Sequence, residues 1–227
     1  ARSYSGYGLP IGGVLATDNA VIPFGVGVDI GCRMSLSIFD LPASFFKGKD
    51  HQLQAILKDN TKFGMSETHK VKADHEVFYK DEFKTIPVVK QLLDKAYKQL
   101  GSSGGGNHFV EFGIVKLDNP LPEWKLEAKE YVAVLSHSGS RGLGANIAKH
   151  YTYLASKQCP LPKNVQHLAW LDLNTHDGQE YWMAMNLAGE YAKACHEDIH
   201  RRLAKALGKR IVVTIENHHN FAWKEMV

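Results

Sequence analysis

An aspartate and a cysteine stand three residues apart in Gly25-Val-Gly-Val-Asp29-Ile-Gly-Cys32, a carboxylate and a thiol on one glycine-softened bend. Together they could hold one metal ion, or the sulfur could bridge two. Taken alone, the bend reads equally as a turn with a structural Asp and a half-buried cysteine, since free Cys is among the most buried residue types. Twelve histidines are the compositional oddity of the chain. His108, His137 and the pair His218-His219 each adjoin an apolar run, and a lone histidine in such a place is often only a hydrogen-bonded structural residue. His150, His167 and His176 earn no more than that. His196 and His200 are spaced i, i+4 on a helical pattern, which is metal-ligand spacing. Without the Glu of an H-E-x-x-H helix they read as solvated surface.

Two glycine clusters suggest a second chemistry. Gly104-Gly-Gly-Asn-His108 and Ser136-His-Ser-Gly-Ser-Arg-Gly-Leu-Gly144 offer unobstructed backbone amides, and the latter leads into a helix N-terminus. Both could receive a phosphate. Neither fits the G-K-[ST] phosphate loop or the dinucleotide fingerprint. Arg141 is a candidate for a phosphate or RNA end, because guanidinium binds phosphate oxygens bidentately; the alternative is a surface arginine capping carbonyls.

The elements that must position these groups are legible as patterns. Met34, Leu36 and Ile38 alternate with Arg33, Ser35 and Ser37, which predicts a strand directly after Cys32. Phe109 to Val115, Tyr131 to Leu135 and Ile211 to Glu216 read as three more. His108 then precedes a strand, while His137 and His218-His219 follow strands. Neighbouring strands lie about 4.8 Å apart, so side chains at their ends can converge. Imidazole, thiolate and carboxylate together suit Mn, Fe, Co or Zn. Helices are expected around His51 to Lys58, over Pro87 to Leu100 with Gly101 as its stop, and after Gly144 with Ile147, Tyr151 and Leu154 on one face. Asp177-Gly-Gln-Glu180 resembles a capping box opening a long helix, whose stripe runs through Ala184, Ala188, Ala192, Cys195, Ile199 and Leu203 to Gly208. Residues 64–83 read as solvated surface and 158–176 as a connection.

The whole is expected to be one α+β domain over residues 1–227, mixed sheets with surrounding helices. Hydrophobic residues make up 44% and charged residues 22%, ordinary for a globular protein. No run approaches the roughly 20 apolar residues of a membrane span. Three widely spaced cysteines argue against a disulfide framework and for a reducing, cytoplasmic setting. A net charge of +3 permits a nucleic-acid partner without requiring one. Residue 1 is Ala, Tyr4 to Pro10 reads like the middle of a loop, and a helix-like segment is starting at Trp223 to Val227. Truncation at both ends is therefore expected.

Taken together, these residues resemble the RtcB family of RNA-splicing ligases. The likeness lies in Gly12-Gly-Val, Gly25 to Cys32, Gly106-Asn-His-Phe-Val-Glu111, His137-Ser-Gly-Ser-Arg-Gly-Leu-Gly144, Asp177-Gly-Gln-Glu-Tyr181 and His219-Asn220. The block from His137 to Gly144 is the most specific. The resemblance implies an RtcB-like fold and a ligase that depends on GTP and two Mn2+ ions. Such a ligase joins RNA 3′-phosphate or 2′,3′-cyclic phosphate ends to 5′-hydroxyl ends, in splicing or repair. It implies a first metal site of Asp29, Cys32 and His108 and a second of Cys32, His137 and His219. Asn107, His108, Phe109, Val110, Glu111, His219 and Asn220 would line the guanine-nucleotide site.

Departures mark a divergent branch. The family usually reads Asp-x-Asn-Cys-Gly where this chain has Asp29-Ile-Gly-Cys32-Arg33, and residues 42–100 show no clear family motif. The histidine that the family guanylylates has no counterpart before Val227, so no catalytic residue is assigned here and the chain alone is expected not to form the guanylate adduct. Two other classes stay open: a metal-dependent phosphoesterase, which uses similar ligands, and a non-catalytic protein that binds metal or RNA ends.

Overall fold

The computed structural model describes residues 12–225. Among them are eight strands: β1 (Ala20–Val21), β2 (Arg33–Phe39), β3 (Lys62–Phe63), β4 (Ser102–Gly104), β5 (Phe109–Lys116), β6 (Glu130–Ser138), β7 (Leu171–Asp172) and β8 (Ile211–His218). Six α-helices accompany them: α1 (Pro23–Val26), α2 (Asp50–Asn60), α3 (Glu82–Thr85), α4 (Pro87–Gln99), α5 (Arg141–Gln158) and α6 (His176–Leu207). The expected α+β class is what the chain adopts. The loop reading of Tyr4 to Pro10 lies outside the described residues. Residues 221–225 carry no regular structure, contrary to the helix-like reading of that segment.

One four-stranded antiparallel sheet, ordered β5-β6-β2-β8, organises the site. Its register sets Arg33 opposite both Ser138 and His218, and His137 between Met34 and Phe109. β6 thus runs past Leu135 as far as Ser138, so His137 lies within a strand that has partners on both sides, not after it. All four strands bring a chemically active residue to the same end of the sheet. Cys32 enters β2, His108 enters β5, β6 ends around His137, and His219 leaves β8.

α6 crosses one face of this sheet. Thr175 caps it, its Oγ1 accepting from the Gly178 N–H at 3.2 Å, and Gly208 closes it in the left-handed region. The helix therefore starts before Asp177, because the hydroxyl of Thr175 satisfies the first-turn amide. The stripe from Ala184 to Leu203 is buried throughout, as its period predicts. Far from the ligand end, Ile199 and Leu203 pack against Phe39, Val132 and Val134. Nearer the ligand end the same interface is polar, and Ser35, Ser37, Ser136 and Ser138 are all buried there. In β2 the polar residues Arg33, Ser35 and Ser37 are buried, while Met34 and Leu36 are only half-buried.

The other core gathers α4, α5 and α6. Ile147 and Tyr151 of α5 are fully buried, although the helix begins earlier than Gly144 suggests, at Arg141. Residues 64–83 are not simply solvated surface: Val77, Phe78 and Phe83 are core residues, and Phe78 stacks on Tyr97 with ring centroids 3.8 Å apart. Three aromatic or aliphatic side chains set in a charged stretch suffice to fasten it. The connection 158–176 likewise contains β7, which pairs with β1.

Candidate metal centre

The bend from Asp29 to Cys32 is closed by a Cys32 N–H to Asp29 carbonyl bond of 3.1 Å. Gly31 takes φ +65°, and a Cβ there would lie 2.7 Å from the Cα of Gly189 in α6. Only glycine lets this bend sit directly on the helix backbone. Gly139 plays the matching part opposite, since a Cβ on it would collide with the Asp29 carboxylate. Arg33 fastens the bend from the other side. Its Nη2 donates to the Gly189 carbonyl at 2.8 Å, and its Nη1 pairs with Glu216 at 3.3 Å. The two departures from the usual family pattern, Gly31 and Arg33, therefore meet at the same residue of α6. The segment after β8 is stitched on by main-chain bonds, His219 N–H to Cys32 carbonyl at 2.8 Å and Gly31 N–H to Asn220 carbonyl at 2.9 Å.

Two ligand-like groups result, and they share Cys32. Asp29, Cys32 and His108 form one; Cys32, His137 and His219 form the other; in each, the ligand atoms lie within 4.8 Å of one another. Cys32 Sγ is 3.6 Å from His108 Nε2 and 3.2 Å from His137 Nε2. His108 Nε2 lies 2.8 Å from Asp29 Oδ2, and His137 Nε2 lies 3.4 Å from His219 Nε2.

The other ring nitrogens are already committed. His108 Nδ1 donates to the Ser103 carbonyl at 3.0 Å, and His137 Nδ1 donates to the Asn107 carbonyl at 3.0 Å. In the neutral ring each Nε2 is then a bare lone pair, aimed at a carboxylate, a sulfur or another imidazole. Such facing acceptors call for a proton or a cation between them. A carbonyl fixing the outer nitrogen of a ligand histidine is also the arrangement that orients imidazoles on metals. The donor set therefore fits a borderline divalent ion.

The electrostatics agree. Burial and then the Asp29 charge push the Cys32 thiol well up, so it keeps its proton unless a cation displaces it. Burial works against the Asp29 carboxylate, but a His108 ring that has taken up a proton, by hydrogen bond and charge, together with the Cys32 thiol and the Arg141 charge, holds it below its ordinary value. Burial and the nearby His137 lower His219.

Arg141 is not a surface arginine. It is buried at the first position of α5 with φ +54°. Its Nε donates to Ser102 Oγ at 3.2 Å and its Nη2 to the Gly64 carbonyl at 3.1 Å. Its charge reaches the first group, where it helps to hold Asp29 ionised. Of the nucleotide-lining candidates, Asn107, Glu111, His219 and Asn220 are exposed and His108 and Phe109 half-buried. Val110 is buried against Phe39, Val134 and Ile199, so it can offer a nucleotide only its main chain.

The sequence profile described as tRNA-splicing ligase RtcB matches residues 3–227. The chain belongs to the RtcB family. The RNA-splicing ligase RtcB of Mycobacterium tuberculosis is 30% identical over 261 residues, covering 96% of this chain and 60% of that protein. The tRNA-splicing ligases RtcB of Thermococcus kodakarensis and Methanococcus maripaludis are 28% and 27% identical, covering 96% and 97% of this chain and 55% of each relative. The RtcB-like chain thus spans a little over half the length of these curated relatives.

His196 and His200 are the residues that sequence reasoning misplaced. Both are buried, at 1% and 3% exposure, between α6 and the sheet. Burial pushes them down to about 4 and about 3. The available signal was the period-2 serines of β2 and β6, which supply hydroxyls to a buried polar seam.

Proposed function

We propose that this chain carries the dinuclear metal centre of an RNA ligase that uses GTP to join a 3′-phosphate or 2′,3′-cyclic phosphate end to a 5′-hydroxyl end. The observation that carries this reading is the sharing of Cys32 between two three-residue groups at one end of a four-strand sheet. Asp29, Cys32 and His108 would hold one Mn2+, and Cys32, His137 and His219 the other. When bound, paired divalent ions supply charge neutralisation and alignment for attack at phosphorus. The protein's own contribution is orientation. The Ser103 and Asn107 carbonyls fix the His108 and His137 rings, and Gly31, Arg33 and the His219-Asn220 segment hold the Cys32 bend in place. Asn107, Glu111 and Asn220, all exposed, would line a guanine nucleotide, with the buried charge of Arg141 favouring phosphate.

The names of the relatives, RNA-splicing and tRNA-splicing ligases, support this class over a phosphoesterase built from the same ligands. The test uses the complete gene product, loaded with manganese and given GTP, a 3′-phosphate RNA and a 5′-hydroxyl RNA. A joined product that requires GTP is the expected result. Loss of the 3′-phosphate without joining would overturn the ligase reading in favour of hydrolysis.

A further inference from the structure

The polar seam beneath α6 resolves into a single path. Thr214 Oγ1 and Ser37 Oγ are 2.9 Å apart, and Ser37 Oγ and His200 Nδ1 2.6 Å. His200 Nε2 and Ser136 Oγ are 2.7 Å apart, and Ser136 Oγ and His196 Nδ1 2.6 Å. His196 Nε2 ends the path 3.1 Å from the Ser138 carbonyl. A carbonyl only accepts, and this fixes every proton before it. His196 must donate from Nε2, so its Nδ1 accepts from the Ser136 hydroxyl. Ser136, its one proton used, accepts from His200 Nε2. His200 Nδ1 then accepts from Ser37, and Ser37 from Thr214. Each neutral group donates once, in one direction. Deep burial keeps both imidazoles neutral.

The strands this path crosses are informative. Thr214 is on β8, Ser37 on β2, and Ser136 and Ser138 on β6. These three strands deliver His219, Cys32 and His137, the members of the second ligand group. β5, which delivers His108, is not on the path. Ser136, next to His137, turns its hydroxyl to the α6 histidines, and Ser138 offers α6 its carbonyl while its own hydroxyl donates to the Ser103 carbonyl; the His137 ring is held by the Asn107 carbonyl. We propose that Thr214, Ser37, His200, Ser136 and His196 form a one-way hydrogen-bonded chain that positions the second metal group, and that they are positioning residues for it. This rests on the metal reading of Cys32, His137 and His219 given above.

Two measurements test it on the 227-residue chain. In the unmodified chain, long-range 15N–1H spectra of the histidine rings should show His196 and His200 both as neutral Nε2–H tautomers. An Nδ1–H tautomer at either residue would overturn the chain, and this readout needs no variant and no metal. Second, Mn2+ titration calorimetry compares Ser136→Ala with Ser136→Thr. Ser136→Ala should weaken the second ion about tenfold while leaving the first unchanged, and Ser136→Thr should restore it. Equal weakening of both ions, or of neither, would overturn the positioning role. An unmodified chain that takes up no manganese would overturn the metal reading and the positioning role together, whereas wrong tautomers would overturn only the chain.

Discussion

At the scale of single residues, the chemistry turns on Cys32. Its thiol is raised by burial and by the Asp29 charge, so uptake of a cation must displace a proton. Affinity for Mn2+ should therefore rise with pH between about 6 and 8, because protons compete for the sulfur. Titration in weakly buffered solution with a pH indicator should record acid release on metal addition, and no release would contradict thiolate ligation. Asp29→Asn should weaken one ion about tenfold or more and leave the other in place, because Asp29 belongs to only one group. Equal loss of both ions in that variant would contradict the division of ligands. Gly31→Ala should cost roughly 1–3 kcal/mol of stability, since it adds a Cβ at positive φ against the backbone of α6. Urea unfolding of the two proteins checks this.

At the scale of elements, the ligand-bearing strands and the amphipathic stripe of α6 were legible because period and residue type agreed. Cys32, His108, His137 and His219 stood beside apolar runs that did become strands. His196 and His200 were not legible, because a polar pair at i, i+4 usually faces water and only the facing serines of β2 and β6 give it a dry partner surface. The burial of Arg141, a phosphate candidate from its sequence, was hidden for a similar reason: its acceptors, Ser102 on a short strand and Gly64 in a loop, are far away in sequence. Burial of the histidines has a thermodynamic consequence. Both have ordinary values near 6.5 unfolded and are pushed down to about 4 and about 3 when folded. Between those limits the unfolded chain binds protons that the folded one refuses, so stability is lost as pH falls below about 6.5. Each residue contributes up to about 1.4 kcal/mol per pH unit. The thermal midpoint should drop steadily from pH 7 to pH 5, and a flat profile would contradict their neutral burial.

At the scale of the whole molecule, the sheet and α6 form one frame whose ligand end gathers four strands. Among the described residues no helix is long and apolar enough to cross a membrane. Because the ligands come from positions spread between Asp29 and His219, metal binding should stabilise the whole frame. Saturation at about 100 times the dissociation constant adds about 2.7 kcal/mol for one ion. A rise in the thermal midpoint with Mn2+, reversed by chelator and absent in Cys32→Ala, is the expected outcome. The central claim, that one thiolate serves two ions, is tested most directly by anomalous scattering at the manganese edge from crystals of the loaded chain. The account predicts two peaks, both within bonding distance of Cys32 Sγ, one reaching Asp29 and His108 and the other His137 and His219. A single peak, or two peaks of which one does not touch Cys32, would contradict it.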